Sequence, residues 1–207
     1  MLRVLPLLLL LATARAHADA PADVRATFAA YRTALLAGDG KAAAQLVDDQ
    51  TLAYYDRIKT MALTAPAKSV KKQPIMDRLM IVVLRHRLPP AELRAMSGEA
   101  LFAHAVAEGW VGKNSVANVS TGKVSVQGQT ATIEILQGGK PVPFNFSFRL
   151  QKGRWRLDLL PILSLGSAAM AQIAKQQNMT EDALIVMLAE KVSGTPVRKD
   201  IWDPPAK

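Results

Sequence analysis

Only three histidines occur in the chain, His17, His86 and His104, and there is no cysteine. His104 stands four residues before Glu108 on a predicted helix. That spacing could join a general base to the carboxylate that orients it, although a surface i,i+4 pair is the more ordinary reading. His86 lies between Arg85 and Arg87 and reads as a solvated basic helix end. No HExxH, no calcium-binding EF-hand loop, no GxSxG, no GxGxxG and no phosphate-binding P-loop is present, so the usual signatures of metalloproteases, serine hydrolases and nucleotide enzymes are missing. No metal and no cofactor is expected. The charged residues with the most suggestive spacing are Arg149, Arg156 and Asp158, on two alternating runs. They could form a small anion site for a headgroup or a partner's carboxylate, or a surface cluster that satisfies itself.

Those residues belong to the stretch FNFSFRLQKGRWRLDLL, 144–160. Phe144, Phe146, Phe148 and Leu150 alternate with polar residues, and Trp155, Leu157 and Leu159 do so after Lys152-Gly153. Four runs share this period of two: 123–126, 130–136, 142–150 and 154–159. A two-residue turn at Lys152-Gly153 pairs Leu150 with Trp155, Phe148 with Leu157 and Phe146 with Leu159, and sets Arg149 opposite Arg156. A turn at Gly138-Gly139 pairs Ile135 with Val142, Ile133 with Phe144 and Ala131 with Phe146. One at Gln127-Gly128 pairs Val124 with Ala131. All apolar residues then share one face, and the other face can meet water. Like charges directly opposed, as Arg149 and Arg156 are here, repel unless something neutralises them.

Upstream the period is helical. Val24, Phe28, Tyr31 and Leu35 mark one helix face, closed by Gly38. Shorter helical segments follow around 42–47 and 52–61, and APAKSVKKQP (65–74) reads as a connecting loop. From Ile75 to Leu84 the chain is apolar on nearly all sides, which predicts a central buried helix. AELRAM and EALFAHAVAE add two more, and SAAMAQIAKQQ and TEDALIVMLAEKV form a helical tail in which Thr180 caps the second. The expected fold is α+β, with N-terminal helices packed on a curled, cone-like antiparallel four-stranded meander and C-terminal helices added.

The first residues, MLRVLPLLLLLATARAHADA, join one Arg to a short apolar run and the small-residue pair of Ala16-His17-Ala18. This is the pattern of a secretory signal peptide cleaved after Ala18, and the run is too short for a membrane span of about 20 residues. The expected divisions are 1–18 signal peptide, 19–160 main domain, 161–194 C-terminal helices packed on it and 195–207 tail. Cleavage removes Arg3 and Arg15 and leaves 24 basic against 17 acidic residues, a net charge of +7. A periplasmic or secreted location follows. The cations are scattered and lack interleaved aromatics, so nucleic acid is not the expected partner. An anionic membrane surface or envelope partner suits the charge better.

YRTALLAGDGKAAAQLVDDQT (31–51) and SFRLQKGRWRLDLL (147–160) resemble the opening helices and closing hairpin of the nuclear transport factor 2-like cone superfamily, which includes the ketosteroid isomerases. The resemblance covers most of residues 20–160 and implies a pocket between helices and concave sheet, lined by Tyr31, Tyr55, Phe144, Phe146, Phe148, Trp155 and Leu157. Tyr31 falls at the isomerases' oxyanion-hole tyrosine. Their proton-shuttling Asp falls near Tyr54 or Tyr55, and their second acid at Phe146, which weighs against that chemistry. The exported, basic chain and its long tail are also similar in outline to periplasmic phospholipid-shuttle proteins, which hold acyl chains within a cone. The leading reading is a non-catalytic exported protein that binds an apolar or amphipathic small molecule. The alternatives are a small isomerase or hydratase using Tyr31 with Asp56 or Asp158, and an interaction module whose core is full, with Phe146, Phe148 and Trp155 packed against Leu79 and Val83.

Overall fold

A proline in the first turn and a left-handed glycine just past the end bracket the first helix, α1 (Ala20–Ala37), whose Gly38 sits at φ 71°. The computed structural model describes residues 19–111 and 114–205; the segment read as a signal peptide, 1–18, lies outside them. Val24, Phe28, Tyr31 and Leu35 all face the core from α1, as their spacing predicts. Side-chain caps start the next helices. Asp39 accepts from the Ala42 N–H to open α2 (Gly40–Ala44), and Asp48 accepts from the Thr51 N–H to open α3 (Asp49–Thr64). The basic stretch expected to be a loop contains one helical turn, α4 (Ala67–Val70), followed by α5 (Ile75–Arg87). Then come α6 (Pro90–Ala95), α7 (Gly98–Ala107, capped by Ser97) and the short α8 (Asn114–Ala117).

The strands β1 (Ser120–Gln127), β2 (Thr130–Gln137), β3 (Lys140–Gln151) and β4 (Arg154–Asp158) form an open antiparallel sheet in the order β1-β2-β3-β4. Last are α9 (Leu160–Gln176) and α10 (Glu181–Ser193), the latter capped by Thr180. The β3–β4 hairpin has the expected register: Leu150 opposes Trp155, Phe148 opposes Leu157 and Arg149 opposes Arg156. Phe146 and Leu159 do not pair, because β4 ends at Asp158 and Leu159 already turns into α9.

The other two registers differ from expectation. Near its turn β2 keeps the expected offset, with Leu136 opposite Pro141, but past an irregularity Ile133 opposes Phe146 and Ala131 opposes Phe148. The β1–β2 turn is Gly128-Gln129, so Val126 rather than Val124 opposes Ala131, and Val124 opposes Ile133. Both corrections are slips of two residues. A slip of two preserves which face each side chain occupies, so Ala131, Ile133, Ile135, Phe146, Phe148, Trp155 and Leu157 are still buried together.

Two apolar clusters meet along α5. The larger joins α1, α3, α7 and the sheet, and takes Ile81 and Leu84 from α5. The smaller joins Ile75 and Val82 of α5 to Met170 and Ala174 of α9, Leu184, Ile185 and Ala189 of α10, and Ile201. A helix with apolar residues on two sides must be covered on both, and this one is. Two of its buried cations find partners in place: Arg78 pairs through its terminal nitrogens with Glu181 and Asp182 at the start of α10. Arg85, buried, donates to five backbone carbonyls, those of Met61, Ala62 and Ala65 at the end of α3 and of Ile201 and Trp202 in the tail. Burial holds its pKa down at about 10. One guanidinium therefore closes the C-terminal end of α3 and fastens the tail to it.

Replacing Arg85 by Lys removes the planar fork that reaches two segments at once. Urea unfolding is expected to show a loss of roughly 2–4 kcal/mol, with earlier proteolysis of the tail after Val197. A loss under about 0.5 kcal/mol, the range of ordinary surface substitutions, would show that the five hydrogen bonds are not what holds this junction.

Candidate functional site

Between the two clusters lies a cavity of about 420 Å³, within the range of about 300–1,000 Å³ usual for small-molecule sites. Its walls come from α1 (Tyr31), α3 (Tyr55), α5 (Met76, Leu79, Met80, Val83, Leu84), α7 (Leu101, Ala105), Trp110 and Val111, β3 (Phe146), Leu159, α9 (Ile162, Leu163) and α10 (Leu188, Val192). None of these residues is charged. α10 packs on α5 and α9 touches both α5 and β3, and the space over Phe146 between them is left unfilled.

Tyr31 and Tyr55 supply hydroxyls to this wall, and neither forms a hydrogen bond with another described residue. Burial pushes both phenols well above the ordinary tyrosine range, and for Tyr31 the nearby Tyr55 adds to the shift. Both therefore stay neutral donors and acceptors. Tyr55 packs edge-on against Phe102, and Phe28 lies against Phe146 at 5.1 Å, so the aromatic wall is held from behind. Trp110 is held by Arg87, whose guanidinium lies 4.8 Å from the ring centroid, and by the edge of His104 at 5.1 Å.

Of the seven expected pocket residues, three line the cavity: Tyr31, Tyr55 and Phe146. Phe148 and Leu157 lie deeper, in the closed core. Phe144 is half-buried with its ring edge-on to Phe146 at 6.1 Å. Trp155 faces a separate, more polar groove of about 410 Å³ with Thr27, Leu150, Arg154 and Arg156. The missed wall is mainly α5, α10 and Trp110. The signal for α5 was its apolar residues on two sides, since such a helix must face a second layer.

The two described histidines have structural partners. His104 packs on Trp110, and His86 Nε2 lies 2.9 Å from Ser193 Oγ and 3.1 Å from Thr195 Oγ1 at the end of α10. The end of α5 is thus packed against α10, not solvated. Neither carboxylate weighed as a base for Tyr31 reaches the cavity. Asp56 pairs with Lys59 at the surface, 2.7 Å away, and Asp158 is buried on the other face of the sheet. Tyr54, next to Tyr55, instead donates to buried Asp77 at 2.7 Å, which also receives Arg57 at 2.8 Å.

On the polar face of the sheet, Arg149 is neutralised from a direction that alternation does not show. Its guanidinium donates to Asp158 Oδ2 at 3.1 and 2.8 Å and lies 3.3 Å from Asp48 Oδ2. Both carboxylates are buried, Asp48 completely. The cluster is thus two aspartates sharing one arginine, and Arg156 stands outside it in the polar groove. Two backbone bonds bring the aspartates together: Leu157 N–H to the Leu46 carbonyl and Asp48 N–H to the Leu157 carbonyl, both 2.8 Å. Thr51 Oγ1 completes the joint by accepting from Leu159 N–H.

No protein-family model, no curated protein and no solved structure matches this chain.

Burial is the largest influence on Asp48 and raises its carboxyl pKa; the Thr51 hydrogen bonds and Arg149 oppose this, and Asp158 adds to it. A carboxyl with a raised folded-state pKa favours folding below its unfolded value, and that contribution is lost as pH rises through the folded one. Asp48→Asn keeps an acceptor for the Thr51 N–H and removes the titration. Relative to this variant, the wild type is expected to lose stability as the pH rises above the ordinary aspartate range of about 4, measured as Tm against pH. Parallel Tm profiles for the two proteins would refute the assignment.

Proposed function

We propose that this chain is an exported, non-catalytic binding protein whose cavity holds an apolar or amphipathic small molecule. The carrying observation is the cavity itself: about 420 Å³ walled by seventeen residues, none of them charged. Apolar walls of this kind bind by removing apolar surface from water, worth about 25 cal/mol per Å², with few polar groups needed for orientation. The two tyrosine hydroxyls offer that orientation to a ligand carrying one neutral polar end. An amphipathic molecule fits such a wall better than a wholly polar one.

One observation favours binding over an isomerase or hydratase. The hydroxyl of Tyr31 has no carboxylate or histidine beside it on the cavity wall. A proton-transfer mechanism needs a base within about 3 Å of the proton it takes. The filled-core alternative is less well supported than the open cavity, because Phe146 faces Leu79 and Val83 across open space. Export rests on the pattern of residues 1–18. In keeping with it, among the described residues no helix is long and apolar enough to cross a membrane.

Native mass spectrometry of the mature protein, purified from an envelope fraction without detergent, tests the reading. The expected result is a bound mass of small-molecule or lipid size that is released on denaturation. Val83→Trp, which places an indole in the cavity from a half-buried position, is expected to weaken uptake at least about tenfold by occupying the ligand's volume, with folding checked by circular dichroism. A bare mass, together with no uptake of any apolar dye or lipid by the purified protein, would overturn it.

A further inference from the structure

The open end of the cavity is built from the ends of two helices. α10 runs beside α5 in the same direction: Arg78 meets Glu181 and Asp182 at one end, and His86 meets Ser193 and Thr195 at the other. Val192 lines the cavity and yet is 58% exposed, which places it at the rim. Trp110 and Leu163 are half-buried in the same wall. Lys191 precedes Val192 and is exposed, while Arg87 ends α5 and covers the Trp110 ring. The rim is therefore apolar at its lip, with an indole in its wall and cations beside it.

The surface around it is equally unusual. Of five large hydrophobic residues that are exposed among the described residues, four lie on the two helices that flank the mouth: Leu165 and Ile173 on α9, Met187 and Val192 on α10. Lys175 is the only charged residue in the 17 of α9. Met187 and Lys191 are four apart, on the same side of α10. Apolar surface edged by cations, with Trp near the boundary, is the arrangement of helices that lie in a membrane interface.

We infer that this rim docks on an anionic lipid surface, with the cavity mouth turned toward the bilayer. The inference rests on the cavity being a binding site, since docking there delivers an apolar ligand without passage through water. A net charge of +7 once residues 1–18 are removed, 24 basic against 17 acidic residues, opposes pairing with a second copy and favours an anionic surface.

Co-sedimentation of the mature protein with phosphatidylcholine vesicles, with and without phosphatidylglycerol, tests this, beside uptake of a neutral apolar dye in the absence of vesicles. Binding is expected only with the anionic lipid and should weaken with salt. Lys191→Glu, a change of two charges, is expected to weaken it about thirtyfold, and Met187→Asp should weaken it as well. Neither residue lines the cavity, so dye uptake should persist in both variants. Dye uptake without vesicle binding, or vesicle binding that both variants retain, overturns the docking and leaves the binding reading intact. Absence of dye uptake overturns the binding reading instead. A dimer in solution that Met187→Asp dissociates also overturns the docking, because a second copy would then cover this face.

Discussion

A helix with apolar residues on two sides must be covered twice, and most of this architecture follows from how α5 meets that demand. On one side it takes α3 and the sheet-bearing cluster, through Ile81 and Leu84; on the other it takes α9 and α10, through Ile75 and Val82. The second layer is fastened by charge at its start, where Arg78 meets Glu181 and Asp182, and by the carbonyl-bound Arg85 farther along. α10 follows α5 and stays off the sheet, while α9 reaches β3 as well as α5. The cavity over Phe146 is what remains when two layers share one helix and diverge at its end.

The sheet is tied to the helices by a separate joint. An edge strand needs a cover for its unpaired backbone groups, and β4 receives one where Val47 forms a parallel bridge with Leu157. That bridge draws Asp48 out of water beside Asp158. Two buried carboxylates would repel strongly, so Arg149 between them is needed for the bridge to exist. Arg149 and Asp158 lie on neighbouring strands, and Asp48 opens α3, so a single guanidinium links the sheet to the helix that carries Tyr55. Any change in this joint reaches the cavity wall through α3.

The faces of the strands were legible in the sequence, and the registers only in part. Alternation reports which side of the sheet Phe146 or Ile133 occupies, but it is blind to slips of two, which leave every side chain on its face. The β1–β2 register also shifts between Thr121 and Val124, beside a local contact. Gly122 lies so close to the Glu134 carboxylate that a side chain there would collide with it, and Lys123 N–H donates to the same carboxylate. Helix α1 and the apolar character of α5 were equally legible, because periodicity reports burial directly. Asp48 was not, since its role depends on a contact with a strand about a hundred residues away. Nor were four of the seven pocket positions, because Phe148 and Leu157 differ from Phe146 only in what packs above them.

That difference bears on why the cavity is open at all. Well-packed interiors leave few voids larger than a water molecule, and each cubic ångström left empty costs about 24 cal/mol in a core that cannot relax. Larger side chains at Ala105 or Val83, both in the cavity wall, would fill much of the space. Tyr31 and Tyr55 also bring hydroxyls to this wall without a protein partner among the described residues, and Trp110 Nε1 in the same wall is buried without one, although a buried polar atom ordinarily finds one. Phenylalanine at either position would avoid that cost. An apolar void that could have been filled, with polar groups that could have been omitted, is better accounted for by a guest that supplies both contacts than by imperfect packing.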